Sequence, residues 1–566
     1  MCKISFRITE GGKRLRDRMT NLKEVTFEQP SYDQWQEAAV KQLKGKPFES
    51  LLTKTIEGIT LQPLYTEEKL LEALDGKLEE QVSTVRALKA DGDFGVAQQA
   101  FGSSIEEFVA QTNDAFNRGA QFVTVGKVAF DWDDHALHQL AQLIDEYQKV
   151  VLYVDDENVL TVFNYIQNKE IEGFIVSEQP TMLPEYKYVR TLNAHTEKHH
   201  YAGANATQEL AIALAQAAEL SVDGFTQFED QFFASFAIDT QFFMEIAKIR
   251  AFRVLWKAFA QAYGVEQPKP VQIVTETSLR TFSKLDVYVN LLRAGNEAFS
   301  AVIGGADVVT VHPHNVLTGP TNQSIRIARN AALVIKEESH VTKVLDPAGG
   351  SYFIESLTHD LVKNAWAYFL EIQAAGGYTA AREKIASDVN EVWMKRLKDV
   401  ETRKSVLVGT NNFADATEEV VAGDFINVNR LAKPFEKLRQ DYKENQVKVT
   451  VLAYGELKKI KPRTDFVTGI FATAGVIAEV TEPFTDVEAA KDFLATTDAQ
   501  VIIFSGVDED VENVLPQIAS SKQARTILDV AGKFDGIAGV DGALYAGMNI
   551  YEKLEGIQES LKEVQR

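Results

Sequence analysis

Between Gln121 and Tyr352 the chain repeats one unit, a short apolar run followed in most cases by a helical stretch. The runs are Phe122–Val125, Val150–Val154, Gly173–Val176, Tyr186–Leu192, Phe233–Ile238, Val271–Thr275 and Ala306–Val311, with a weaker one at Thr342–Leu345. Strands alternating with helices in this way form a parallel sheet covered by helices. The clearest helix carries Phe242, Ile246, Ile249, Phe252, Trp256 and Phe259, whose spacings of 4, 3, 3, 4 and 3 draw one apolar stripe. Seven or eight such units in about 230 residues predict a (β/α)8 TIM barrel rather than an open sheet, with function on the loops after the strands.

The alternation resumes near Val447. Strand Val447–Tyr454, an amphipathic stretch through Phe471, strand Gly475–Val480 and helix Asp486–Thr497 come first. Strand Gln500–Ser505, helix Val511–Ser520, strand Thr526–Val530 and helix Tyr551–Val564 follow. This is the pattern of a flavodoxin-like doubly wound domain, which holds ligands at the carboxyl ends of its strands. The 566 residues exceed one ordinary core of roughly 150 residues. The expected division is a tail and arm over 1–45, the barrel over 46–400, a linker over 401–446 and the doubly wound domain over 447–566. The first eighteen residues are locally basic, precede Met19 and lack the apolar core of a secretory signal. They read as a disordered tail or as a start placed too far upstream, with an organellar presequence as the alternative.

Composition removes several classes of function. The chain has 81 acidic and 59 basic residues, a formal charge of -22, and such a surface repels nucleic acid and anionic membranes. No stretch approaches the roughly 18 uncharged apolar residues of a membrane span. A cytoplasmic protein is expected. The single cysteine, Cys2, leaves neither an intramolecular disulfide nor a multi-cysteine metal site.

Only nine histidines need inspection. His195, His199 and His200 stand beside Glu197 in a segment expected to be a loop, with metal binding as the less favoured reading. His312 and His314 follow the run ending at Val311, where a solvated loop is weighed against a metal or substrate role. His135 and His138 fit a polar helical face. Asp93-Phe94-Gly95 resembles a kinase motif but has no accompanying glycine-rich or catalytic loop. Asp346-Pro347-Ala348-Gly349-Gly350-Ser351-Tyr352 is a glycine-rich turn suited to a phosphate or to tight packing. No Walker A loop, GxSxG elbow or HExxH occurs.

Several segments together carry a resemblance. Glu57-Gly58 with Pro63-Leu64-Tyr65-Thr66, Phe242 through Lys248, Arg326-Ile327-Ala328-Arg329-Asn330, and Thr342 through Tyr352 resemble the methylmalonyl-CoA mutase family in consistent order from about Leu22. The resemblance implies a CoA-ester-binding barrel followed by a flavodoxin-like cobalamin domain. It also implies a radical rearrangement in which adenosylcobalamin supplies the hard chemistry while the protein orients the substrate and excludes solvent. The reaction so implied interconverts methylmalonyl-CoA and succinyl-CoA.

The family's demanding positions are altered. Its Asp-x-His-x-x-Gly loop, whose histidine ligates cobalt, falls on Lys458, Ile460 and Arg463. An alkyl side chain has no lone pair for a metal, and Lys458 cannot orient an imidazole as the aspartate does. No histidine follows His359. Two later cofactor positions are partly retained at Ser505 and Gly532, where small residues also serve plain packing. In the barrel the family's substrate-stacking tyrosine falls on Gln99, and its catalytic histidine on Lys198. A one-residue shift would instead place His199 there, with His200 adjacent. The family's Thr-Ser-Gly-Trp-Ser-Leu-Thr becomes Thr277 through Ser283 without its glycine and tryptophan.

The resemblance is therefore to a small subunit. It implies a chain with no catalytic, cofactor-binding or metal residues of its own, paired with a homologous large subunit that binds adenosylcobalamin and the acyl-CoA substrate. The alternatives are a mutase active on its own, using His199 or His200, and a free-standing CoA-ester-binding protein.

Overall fold

A computed structural model describes residues 30–221 and 224–565, so the basic segment and Cys2 lie outside the described residues. The chain divides into two compact units, 1–69 and 70–566. In the first, helix Tyr32–Gln42 begins at a capping box in which Ser31 and Gln34 satisfy each other's backbone N–H. A short antiparallel pair joins Thr53–Lys54 to Thr60–Leu61.

The second unit opens with the barrel. Its strands are β1 (Gly95–Val96), β2 (Val123–Val125), β3 (Lys149–Tyr153), β4 (Glu172–Val176), β5 (in two pieces, Val189–Arg190 and Leu192–His195), β6 (Phe232–Ile238), β7 (Gln272–Thr277) and β8 (Val308–Thr310). All neighbouring pairs are parallel, in the order β2-β3-β4-β5 and β5-β6-β7-β8-β1. The ring closes between β1 and β2 through a single parallel bridge, Gln99 to Thr124. Backbone bonds from Gln121 N to Val96 O (2.9 Å) and Ala100 N to Thr124 O (3.3 Å) flank it.

Seven of the eight sequence runs coincide with strands, and one does not. Thr342–Leu345 is no strand: residues Val341–Lys343 make a 3-10 turn. The missing strand is β1, two residues long, which begins inside the Asp93-Phe94-Gly95 segment. It is too short to be read as an apolar run.

Inside the ring, Phe122, Val151, Phe174, Phe233, Val274 and Val308 pack into one buried layer, with the Phe174 and Phe233 rings 5.2 Å apart. Aromatic side chains of this size make the barrel a packed core rather than a channel. Helix Phe242–Ala262 lays its predicted stripe inward, with Ile246, Ile249, Phe252, Trp256 and Phe259 buried. Lys248, Arg250 and Arg253 on the same helix are buried too. Ala206–Leu220, Val289–Gly304 and Tyr352–Ala374 pack against the helix and help to bury Lys248, Arg250 and Arg253, while Gln261 near its end stays exposed.

The glycine-rich turn resolves to packing rather than phosphate binding. Asp346 accepts from Arg250 Nη1 at 2.6 Å, Glu355 pairs with the other end of the same guanidinium, and Gly350 N donates to Glu355 at 2.9 Å. A Cβ on Gly349 would stand 2.5 Å from the Asp346 carboxylate.

The C-terminal sheet holds β9 (Val449–Ala453), β10 (Glu479–Val480), β11 (Val501–Ser505), β12 (Ile527–Ala531) and β13 (Gly542–Leu544). Their order β10-β9-β11-β12-β13, all parallel, is the 2-1-3-4-5 arrangement of the flavodoxin-like fold. The sequence does not announce β13, three residues starting at a glycine. The single helix expected over Val511–Ser520 is instead two, Asp508–Asn513 and Leu515–Ala519, because Pro516 suits only the first turn of a helix.

Between barrel and sheet, residues 404–432 run as an irregular strap across the carboxyl end of the barrel. Val421 N donates to Lys284 O, Phe425 N to Leu317 O and Leu431 N to Arg280 O, at 2.9 to 3.0 Å. Helix Lys433–Asn445 then leads into β9. Among the described residues no helix is long and apolar enough to cross a membrane.

Candidate functional site

Two places could hold a ligand on this architecture: the carboxyl mouth of the barrel and the carboxyl edge of the C-terminal sheet. At the mouth lies a cavity of about 320 Å3, roofed by Ile426, Asn427 and Val428 of the strap. Gln99 lines it, buried, and donates weakly to Lys127 O at 3.4 Å. A Cβ on the neighbouring Gly126 would run into the Gln99 amide, so this position has no spare room.

The segment expected to be a loop is a short helix, Glu197–Ala202, which sends its three neighbouring polar side chains in different directions. Lys198 is about half exposed and pairs with Glu178 at 2.9 Å on the surface. His199 Nε2 lies 2.9 Å from the Tyr378 hydroxyl. His200 is fully buried, with Nδ1 2.8 Å from Glu209 and Nε2 2.7 Å from Ser278.

His200 belongs to a buried charge network. Lys248 donates to Glu209 at 2.9 Å and pairs with Glu245 at 2.6 Å, while Arg280 pairs with Asp239 and donates to His200 O and Ala204 O. Burial and the Arg280 charge keep the His200 imidazole neutral, down at about 4. Burial opposes ionisation of Glu209, but Lys248 and His200 beside it prevail and hold it at about 2. Arg280, in the Thr277–Ser283 segment, thus forms a buried ion pair with Asp239.

The mouth itself is lined by groups that the sequence reading did not bring together. His195 pairs with Glu197 at 3.0 Å, and His312 with Glu276 at 3.1 Å. The Tyr201 hydroxyl reaches Glu276 at 3.4 Å, and the Tyr153 hydroxyl lies 2.9 Å from Thr310. Burial, with Glu276 nearby, pushes Glu197 up to about 8, and burial brings His195 down to about 4. His312 and His314 are both buried rather than solvated, His314 stacking on Tyr288 at 5.2 Å. The legible signal was Glu276, an acidic residue near the carboxyl end of an apolar strand. His135 and His138 sit on an exposed helical face, as expected. Among the described residues no group of three His, Cys, Asp or Glu is arranged to hold a metal ion.

At the edge of the C-terminal sheet, helix Leu457–Thr473 starts four residues after β9. Lys458, Ile460 and Arg463 therefore lie in its first turns and not on an open loop. Ile460 is completely buried. Arg463 reaches across the edge: Nη1 donates to Gly506 O at 2.6 Å, Nη2 pairs with Asp508, and the guanidinium lies 5.7 Å from the Phe534 ring centroid. Ser505 is buried and bonded to Thr464 of that helix at 3.1 Å. Gly532, at φ +123°, leaves space that Phe534 uses, since a Cβ there would stand 2.6 Å from its ring.

A closed (β/α)8 barrel followed by a 2-1-3-4-5 doubly wound domain, each with its ligand edge at the strand carboxyl ends, defines a two-domain α/β scaffold of the kind that carries enzymes. The family profile described as methylmalonyl-CoA mutase matches residues 179–485. The methylmalonyl-CoA mutase small subunit of Porphyromonas gingivalis is 30% identical over 89% of this chain and 92% of its own length. The probable methylmalonyl-CoA mutase small subunit of Mycobacterium bovis is 34% identical over 59% of this chain and 58% of its own. The methylmalonyl-CoA mutase of Cereibacter sphaeroides is 29% identical over 71% and 66%. The chain belongs to the methylmalonyl-CoA mutase family.

Proposed function

We propose that this chain is the small, non-catalytic subunit of a heterodimeric, adenosylcobalamin-dependent methylmalonyl-CoA mutase, working in the cytoplasm. The observation that carries the reading is the pair Ile460 and Arg463. A corrin does not fit the edge of this sheet: the axial position is a buried hydrocarbon in a helix, and a guanidinium bonded to Gly506 and Asp508 lies over the crevice. No step of the reaction is therefore assigned to cofactor bound on this chain.

The barrel supports the same reading. Gln99 and Lys198 offer neither a stacking phenol nor an imidazole, and the packed layer of Phe122, Phe174 and Phe233 leaves no passage along the barrel axis. The names of the Porphyromonas and Mycobacterium relatives support the small-subunit assignment. An active mutase using His199 or His200 has less support, because His199 is bonded to Tyr378 and His200 is buried between Glu209 and Ser278.

In this reading the partner is a homologous large subunit carrying Asp-x-His-x-x-Gly, which binds cofactor and acyl-CoA. An ancestral two-fold interface, on the order of 2,000 Å2 or more for an obligate pair, holds the two together. Co-expression with that large subunit is expected to give a one-to-one complex with mutase activity. The chain purified alone with adenosylcobalamin is expected to elute without corrin absorption and without isomerase activity. Corrin co-elution with turnover by the lone chain would end the proposal, as would failure of the two chains to co-purify.

A further inference from the structure

We infer that the exposed face of helix Val289–Gly304, together with Val408 and Phe413 of the strap, is the surface on which this chain docks its large subunit, whose facing surface is apolar at the centre and basic where it meets the strap. This rests on the subunit reading above and adds to it the place and the chemistry of the contact.

The first observation is the helix itself. A helix on the outside of a barrel ordinarily buries one apolar stripe and turns its charged side chains to water. Here the two charged residues of the helix, Arg293 and Glu297, are both buried. Leu292 is 74% exposed instead, and Gly295 and Phe299, three and seven residues further on, share its face. A Cβ on Gly295 would meet no atom within 4 Å, so no described residue stands in front of it. The usual arrangement is inverted, with charge inside and hydrocarbon outside.

The second is continuity. Just before the helix, Tyr288 is 68% exposed, and Arg293 Nη2 donates to Val408 O at 2.9 Å, which brings the strap alongside. The strap turns there, Gly409 N donating to Asn412 O at 2.9 Å, and presents Phe413 at 77% exposure. Further along the helix, Asn296 Nδ2 donates to Thr240 O at 2.9 Å and Phe299 lies 5.8 Å from the Phe242 ring, beside the half-exposed Phe243. Large apolar side chains exposed to this degree offer on the order of 100 Å2 each. The strip therefore reaches the upper end of the roughly 300–600 Å2 of a typical monomer's largest patch. It supplies most of the ~800 Å2 that each partner buries in a standard interface.

The third is charge, which selects the partner. Residues 413–429 of the strap contain Asp415, Glu418, Glu419 and Asp424 and no basic residue. Glu419 pairs with Lys443 and Asp424 with Lys284, which leaves the exposed Asp415 and Glu418 to border the strip. A second copy of this chain would bring another formal charge of -22 and the same acidic border, and like charges repel. The strip fits a different chain, one with lysine or arginine opposite Asp415 and Glu418. Charge depleted at the centre and kept at the rim is the ordinary build of a protein interface.

The test mixes the full chain with the separately purified large subunit and reads the Kd by titration calorimetry, with thermal midpoints as the check on folding. Wild type is expected to bind. Leu292→Arg and Phe413→Arg alter side chains that stand mostly in water, so both should fold as wild type does and weaken binding about 30-fold or more. Glu418→Lys should weaken it about tenfold at low salt and much less at high salt. Should an arginine variant fail to fold, Glu418→Lys and its salt dependence decide. Unchanged affinity in all three variants would overturn the docking surface alone and leave the subunit reading intact. So would dimerisation of the lone chain that Leu292→Arg abolishes, because a second copy would then occupy the strip. Wild type that does not bind the large subunit at all would end the subunit reading, and this proposal with it.

Discussion

Arg463 donates from Nη1 to the backbone oxygen of Gly506 at 2.6 Å. This one bond ties the helix after β9 to the loop after β11, across the edge where a doubly wound domain ordinarily opens to its ligand. Glycine at this position would leave the edge open, whereas arginine spans it.

The two substitutions at that edge are expected to act differently on stability. Ile460→Ala removes fully buried methyl groups and should cost about 2–5 kcal/mol. Arg463→Ala removes hydrogen bonds from a partly exposed side chain and should cost only about 0.5–1.5 kcal/mol. Urea denaturation followed by circular dichroism measures both. Equal losses would contradict the burial described for Ile460.

Gln99→Tyr should destabilise the barrel by about 1–3 kcal/mol through overpacking, because Gly126 already lies against the Gln99 side chain at the β1–β2 seam. It should confer no mutase activity on the isolated chain. A lower thermal midpoint without mutase turnover is the expected result, and turnover gained by the variant would refute it.

Lys248→Met leaves Glu209 and Glu245 buried without their shared cation, and should cost about 3–5 kcal/mol. Lys198→Ala, which breaks a surface pair, should change stability by about 0.5 kcal/mol or less. The contrast between the two lysines is read from denaturation midpoints measured side by side.

The pH dependence has two opposing arms. Glu209 is held at about 2, below its ordinary 4.5, so its contribution is complete above about 4.5 and is lost as pH falls toward 2. Glu197 is raised from 4.5 to about 8, so its contribution is complete below about 4.5 and is lost as pH rises through 8. Glu197→Gln should therefore flatten the alkaline arm and leave the acid arm in place. Stability profiles of both proteins from about pH 2 to 9 test this, and an unchanged alkaline arm in the variant would contradict it.

Much of the fold was legible because its strands are buried on both faces. Phe232–Ile238 is buried at every residue, and such a strand must read as a continuous apolar run. The elements that escaped, Gly95–Val96 and Gly542–Leu544, are two and three residues long and are held by their neighbours' hydrogen bonds rather than by their own pattern. The linker looked merely polar, yet its backbone bonds to Lys284, Leu317 and Arg280 make it the roof of the barrel mouth. Nothing local records such pairings.

What the sequence by itself determined is chemical inventory and period. A chain with no histidine beyond His359 cannot place an imidazole in its C-terminal domain under any fold, and alternating runs of this kind admit few architectures. Only the tertiary structure decided which like residues do what. Lys248 is buried against Glu209, 39 residues away, whereas Lys198 stands in solvent. His200 is locked in a network, whereas His195 and His312 open onto a cavity. Burial, pairing and the resulting shifts in protonation arise from distant segments brought together, and a side chain's identity fixes none of them.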